Sequence, residues 1–458
     1  MKDSSGLRAL LFGSALRRNT AMTLGRQMIA AVAQLLTVIL IARVLGPQGN
    51  GLYAMAILLP SLLVNFFNLG VGPATVYYVG RGSVTGGRAV GENLFLAGSI
   101  STIGIVFSLP VLALWGDKIF PGIPFELLVL GLAVFPISLL LAYWTTILQG
   151  LEDFRAFNWV GLAPPGATLL LTAIALLVLG QGVLGALLAY IAGQAVGLLV
   201  VWVFLRKLRN VSPTTGFPRY KRTLLGYGWK AHLSNIMAFV NYRADIFLVN
   251  FFLTPVATGV YVIAVQIAER LWMLSHAASA VLLPRLSAMH RDPVGRHAVT
   301  VRVGAVVGAI TLAAALALAF ALYFLLVPVF GSDYADALEP FLWLLPGVVA
   351  GAFARVYSNC IAASGKPEWN LYVSVFVVGT NVVGNLVLIP RMGLVGAAIA
   401  TTVAYGLNAV IKLVLIRWTL TEDKDGGGHE SDGRDGERLS SPSRLAKKSI
   451  RKSITDAS

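Results

Sequence analysis

Residues 45–53 read Leu45-Gly46-Pro47-Gln48-Gly49-Asn50-Gly51-Leu52-Tyr53, and residues 253–261 read Leu253-Thr254-Pro255-Val256-Ala257-Thr258-Gly259-Val260-Tyr261. Both follow the pattern L-x-P-x-x-x-G-x-Y, 208 residues apart, each just after a long apolar segment. A second echo sets Gly182-Val183-Leu184-Gly185-Ala186 against Gly393-Leu394-Val395-Gly396-Ala397, 211 residues apart. Two pairs of matches at nearly one spacing imply a membrane bundle present twice in one chain. Many secondary transporters are built in this way, with the binding site between the halves.

The bulk composition agrees with a membrane bundle. Of 458 residues, 57% are hydrophobic and only 12% charged, too apolar for a soluble protein. About twenty apolar residues in helical form cross the ~30 Å hydrocarbon layer. Twelve such stretches are expected: 22–42, 52–75, 93–115, 125–148, 158–180, 184–205, 228–252, 258–283, 300–327, 338–362, 370–390 and 394–417. Twelve gives six to each copy of the repeat. The fold class is therefore an all-α polytopic membrane protein of about twelve transmembrane helices, in two six-helix lobes related by a pseudo-twofold axis.

The net charge of +15 raises the possibility of nucleic acid, but its placement points to the bilayer. One side of the spans carries Arg8, Arg17, Arg18, Arg81, Arg88, Arg155, Arg206, Lys207, Arg285, Arg291 and Lys366, among others; the other has only Arg43, Lys118 and Arg391. That asymmetry is the positive-inside pattern, and it predicts a multi-pass membrane protein with both termini cytoplasmic. The expected divisions are a basic N-terminal segment (1–21), an N-lobe (22–205), a cytoplasmic linker (206–227), a C-lobe (228–417) and a disordered cytoplasmic tail (418–458). The linker holds two prolines and several basic residues, and the tail composition collapses to Gly, Ser, Asp, Lys and Arg. Cys360 is alone, so no intrachain disulfide forms.

A charge at mid-bilayer costs about 2.5–3.5 kcal/mol on insertion scales, so embedded charges face a wet cavity or a partner. The embedded cations are Arg26, Lys230, Arg243, Arg270, Arg355 and Lys412; the embedded anions are Asp245 and Glu269, with His276 sharing the face of Glu269. Positive charge stays in surplus even if each carboxylate neutralises one arginine. A cavity of that kind takes an anionic guest, and Arg forks onto phosphate oxygens with two parallel hydrogen bonds. The expected substrate residues are Arg26, Arg243, Arg270, Arg355 and Lys230; Asp245, Glu269 and His276 are expected in coupling or ion pairs. Structural alternatives stand beside these: Lys230, Lys412 and Arg26 snorkelling to headgroups, and ion pairs of Arg243 with Asp245 and of Glu269 with Arg270. Adjacent helical residues do not face each other, so Glu269 and Arg270 are expected to reach different partners. No Walker loop, dinucleotide fingerprint, Cys/His metal spacing or G-x-S-x-G elbow is present, so no enzyme activity, cofactor or metal is expected.

These residues resemble a known family. Arg26-Gln27, then Ala42 through Tyr53, then Asn68-Leu69-Gly70, look like the first two helices of polysaccharide flippases of the multidrug/oligosaccharidyl-lipid/polysaccharide exporter superfamily. Leu148-Gln149-Gly150 with Phe154 and Asn158 resembles the start of that family's fifth helix. Asn241 through Asp245, with Pro255, Gly259 and Tyr261, resembles its seventh and eighth; the resemblance covers about residues 10–420. It implies a V-shaped, alternating-access transporter that moves an undecaprenyl-diphosphate-linked oligosaccharide from the cytoplasmic to the outer leaflet for surface polysaccharide synthesis. It also implies glycosyltransferases and a polymerase as partners, beside membrane lipids; coupling to protons or sodium stays open, as does drive by the membrane potential alone. Two rivals remain. An ion-coupled multidrug antiporter of the same fold would carry a carboxylate surplus in its cavity. A membrane-embedded polysaccharide polymerase or ligase would need a large external loop, whereas the longest external links here, 116–124 and 328–337, are about ten residues.

Overall fold

A computed structural model describes residues 14–208, 220–289, 292–366 and 368–426. The described residues form an all-α polytopic membrane protein without a β-strand. The first half comprises α1 (Ser14–Phe67), α2 (Val71–Gly80), α3 (Gly86–Ile119), α4 (Phe125–Leu132), α5 (Val134–Gly150), α6 (Phe154–Ala173) and α7 (Val183–Leu205). The second comprises α8 (Tyr220–Phe252), α9 (Pro255–Arg270), α10 (Trp272–Ala288), α11 (Pro293–Phe330), α12 (Leu338–Ala363) and α13 (Glu368–Gly426).

Among the described residues, nine helical stretches are long and apolar enough to cross a membrane, against the twelve expected. Two of the nine each hold two expected spans. α1 bends at Gly46 (φ 65°) and α13 at Gly393 (φ 59°), both in the left-handed region that glycine enters without a Cβ penalty. The expected span at 228–252 falls within α8, which is outside the nine because Asn241, Arg243, Asp245 and Asn250 interrupt its apolar run. The expected span 52–75 stops early at Phe67, where Leu69 (φ 52°) and Gly70 (φ 69°) turn the chain into the separate α2. The span at 125–148 is broken at Ala133, because the ring of Pro136 clashes with the carbonyl four residues before it. α8 begins inside the expected linker, and α13 runs into the expected tail. Residues 1–13, 209–219 and 427–458, which carry most of the N-terminal segment, half of the linker and most of the tail, lie outside the described residues.

Helix starts follow the local sequence. Thr254 accepts from Ala257 N at 3.1 Å ahead of Pro255, and Asp292 accepts from Gly295 N at 2.8 Å ahead of Pro293. A polar cap followed by proline is a strong start signal, since proline lacks an N–H that would go unpaired there anyway. Asp153 caps α6 in the same way through Ala156 N at 3.0 Å.

Three buried clusters carry the core. One draws only on residues 71–205 and another only on residues 282–416. The largest joins both halves, from Ala42 and Met55 through Tyr261 and Phe341 to Tyr405. At its centre the two copies of the repeated motif pack on each other. A Cβ on Gly51 would fall 1.8 Å from the carbonyl oxygen of Pro255, and one on Gly259 would fall 1.9 Å from that of Pro47. Each glycine thus meets the proline of the other copy, the reciprocity of an isologous contact. Asn50 Nδ2 adds a hydrogen bond to the Gly259 carbonyl at 2.9 Å.

Further bonds cross the halves at the same end. Arg43 donates to the carbonyls of Pro328 and Val329, the latter at 2.8 Å, and Asn250 Nδ2 donates to Pro121 O at 3.2 Å. Tyr334 Oη donates to Ala42 O at 3.4 Å. This end, which holds the links 116–124 and 328–337, is closed.

Candidate functional site

Below the crossing lies a cavity of about 740 Å³, walled by α1, α6 and α7 from the first half and by α8, α9, α10 and α12 from the second. Arg243, Arg270 and Arg355 all line it, as do Glu269 and His276. Residues from four separate helices, far apart in sequence, converge here.

The three guanidinium groups differ in how they are held. Arg243 forks onto Glu269, Nη1 to Oε1 at 2.8 Å and Nη2 to Oε2 at 3.3 Å, and also donates to the Tyr242 carbonyl at 2.9 Å. Arg270 reaches across to the first half, donating from Nη1 to Gln34 Oε1 at 3.2 Å. Arg355 lies 5.4 Å over the Trp272 ring and donates from Nη2 to Tyr242 Oη at 3.0 Å. Its Nη1 meets His276 Nε2, and since a guanidinium only donates, the imidazole nitrogen accepts. Trp272 is itself anchored by Nε1 to Val348 O at 2.9 Å and packs with Tyr242 and Tyr405. Arg270 and Arg355 therefore have only neutral partners, with no carboxylate at ion-pair distance among the described residues. Their charge is held in place but not cancelled.

Other expected site residues fall elsewhere. Arg26 does not line the cavity; it stacks 5.5 Å over Phe157, with Nε buried and unpartnered. Asp245 is 2% exposed and turned away from the cavity. It accepts from Tyr261 Oη and from Ile246 N, each at 2.8 Å, and from Thr401 Oγ1 at 3.3 Å, which ties α8 to α9 and α13. The alternative in which Arg243 pairs with Asp245 is not what forms: two residues apart on a helix, the side chains point to different sides, and Arg243 pairs with Glu269 instead. Glu269 and Arg270 do reach different partners. The side chain of Lys230 lies outside the described residues. Lys412 is buried away from the cavity and donates to Ser358 Oγ at 2.7 Å, bracing α13 against α12. Among the described residues no three His, Cys, Asp or Glu side chains group as a metal site.

Sequence reading passed over the aromatic and amide groups of the wall: Tyr53, Tyr190, Gln194, Tyr242 and Trp272. Gln194 alone carried a signal, a lone amide inside the apolar run 184–205.

The multi-helix membrane fold is shared by known proteins. An inward-facing multidrug resistance MATE transporter of the MOP superfamily superposes with TM-score 0.68 at 17% identity, over 89% of this chain and 99% of that one. The lipid II flippase MurJ in an inward closed form does so with TM-score 0.67 at 14% identity, over 90% and 93% of the two chains. At such identities the likeness is one of fold.

The polysaccharide biosynthesis protein family matches residues 16–290, and this chain belongs to that family. A probable low-salt glycan biosynthesis flippase of Haloferax volcanii is 22% identical over 265 residues, 57% of this chain. The match spans 53% of that relative, so about half its length is covered.

Proposed function

We propose that the protein is an alternating-access flippase that moves an undecaprenyl-diphosphate-linked oligosaccharide from the cytoplasmic to the outer leaflet of the inner membrane. The observation that carries this reading is the charge of the cavity: Arg243, Arg270 and Arg355 face it against the single carboxylate of Glu269. Arg270 and Arg355, fixed by neutral partners, suit a diphosphate, whose oxygens accept paired N–H bonds. The sugars then occupy the wet space between the halves while the polyprenyl tail stays in the bilayer. Family membership and the flippase relative support the same assignment. The close crossing of the two halves at Gly51 and Gly259 supports alternating access about that contact, with both termini cytoplasmic as the basic residues indicate. Glycosyltransferases that build the substrate and a polymerase that consumes it are the partners this reading implies. A cation-exporting drug antiporter of the same fold would need the opposite balance of cavity charge.

The test is replacement of Arg243, Arg270 and Arg355 singly by Ala and by Lys. Each Ala variant is expected to lower surface polysaccharide at least ~10-fold with normal protein levels, as loss of a charge-assisted hydrogen bond of about 1.5–3 kcal/mol predicts. Lys is expected to restore part of the output, less where the fork matters. Full output from all three Ala variants would remove the site assignment.

A further inference from the structure

The two walls of the cavity are chemically unlike. Every charged residue that lines it belongs to the second half. The first half contributes Gln34, Ser61, Tyr53, Tyr190 and Gln194, which carry only amide, hydroxyl and aromatic groups. Among the described residues the side chains of Tyr53, Tyr190 and Gln194 have no hydrogen-bond partner, although all three line the cavity. The Tyr53 and Tyr190 rings meet edge to face at 6.5 Å. Gln34 stands at the seam, held by Arg270 at 3.2 Å.

We infer that this first-half wall is a second subsite, which binds the sugar joined to the diphosphate, and that this sugar is uncharged. The inference rests on the flippase reading above and adds to it where on the site the glycan lies and which glycans fit. An amide presents a donor and an acceptor side by side, matching two neighbouring hydroxyls of a sugar ring. A tyrosine ring offers an electron-rich face to the apolar C–H face of the sugar and a hydroxyl to its rim. A uronate or other acidic sugar placed here would lose water and meet no charged side chain in the lining of its own wall, since the guanidinium of Arg26, behind Gly161, is stacked on the Phe157 ring. One guest can meet both walls, because Gln34 of the first half is held by Arg270 of the second at 3.2 Å. Diphosphate at Arg270 therefore puts the first sugar next to Gln34, on the wall that also carries Tyr190 and Gln194. The cavity volume is within the range that encloses a small head group, so the sugar nearest the diphosphate is the one read.

The test is a binding experiment on the purified full-length protein in nanodiscs, followed by intrinsic fluorescence, since Trp272 lines the cavity. Three probes are used: farnesyl diphosphate, farnesyl diphosphate bearing N-acetylglucosamine, and farnesyl diphosphate bearing glucuronate. The N-acetylglucosamine probe is expected to bind roughly 10-fold tighter than the bare diphosphate, the gain from two or so added hydrogen bonds. The glucuronate probe is expected to show no such gain. Gln194→Ala and Tyr190→Phe are expected to weaken the N-acetylglucosamine probe far more than the bare one, while Arg355→Ala weakens all three. Equal affinity for bare and glycosylated probes, a gain that survives both wall variants, or a preference for glucuronate would overturn the subsite. Bare diphosphate binding that ignores Arg355→Ala, or no binding of any probe, would overturn the flippase reading and the subsite together. Thermal unfolding of each variant separates loss of binding from loss of fold.

Discussion

On the flippase reading proposed above, Glu269 stands in front of Arg243 where a phosphate of the guest would bind. Its two oxygens accept the same paired N–H bonds that a diphosphate oxygen pair would accept. A guest bound at Arg243 must therefore displace an internal competitor, whereas Arg270 and Arg355 are ready for it. Glu269→Gln is expected to strengthen binding of a polyprenyl diphosphate by about 10-fold, the lower end of what a charge-assisted bond is worth at a half-exposed site. Titration of the purified variant checks this, and weaker binding would show that the carboxylate assists the guest. At this scale the sequence was legible in part. The placement of Glu269 and Arg270 on different partners follows from helical geometry alone, and Arg355, sixteen residues from Glu339, the acid of its own helix, stood among the cations expected to face the cavity. That Arg243 and Glu269 join could not be read, because the pair lies 26 residues apart on two helices whose packing is set by the whole bundle. Arg26 stacks on Phe157 behind the cavity-lining Gly161, and a cation early in a span looks alike in sequence whether it faces a cavity or an aromatic ring.

Helix crossings carry the second set of expectations. α1 and α9 approach so closely at Gly51 and Gly259 that a methyl group on either would overlap a carbonyl oxygen of the other helix. Gly51→Ala and Gly259→Ala are each expected to push this crossing apart and to favour the form open at that end. The double variant is expected to be little worse than either single one, because both changes act on one contact. A cysteine placed at Ser61, in a chain whose buried Cys360 is replaced by Ala, should then react faster with a membrane-impermeant thiol reagent added outside. Unchanged labelling would exclude this crossing as the outer closure.

Asp245 plays a different part, joining three helices through two hydroxyls and a backbone amide. Asp245→Ala leaves the Tyr261 and Thr401 hydroxyls short of a partner and is expected to cost about 2–4 kcal/mol, seen as a lower unfolding temperature in detergent. Asp245→Asn keeps an acceptor and should cost less; transport lost without loss of stability in this variant would assign Asp245 to coupling. Element ends such as Thr254-Pro255 and Asp292-Pro293 were readable because capping is local. The turn at Leu69 was not, since a leucine with positive φ is a position that packing imposes.

On the scale of the whole molecule, the duplication was the most legible feature, because two copies of one motif record their origin in spacing. What spacing could not show is that the copies touch each other, making one seam out of two signatures. The same two-sidedness gives the molecule its expected response to voltage. A diphosphate carried outward across an inside-negative membrane gains about 2.3 kcal/mol per charge per 100 mV, so a dianion gains about 4–5 kcal/mol. The arginines stay with the protein and Glu269 stays paired or free within the cavity, so the charge that crosses is that of the guest. In proteoliposomes with a potassium diffusion potential of about 100 mV, an inside-negative interior should drive a labelled polyprenyl-diphosphate glycan outward. An equilibrium bias of roughly three orders of magnitude corresponds to that energy. Reversing the potential should reverse the bias. Transport that ignores the potential but follows a pH gradient would mean that two compensating protons travel with the dianion, one on Glu269 and one on His276. In that case Glu269→Gln would leave one charge uncompensated and make the flux sensitive to voltage, which the same vesicles would report.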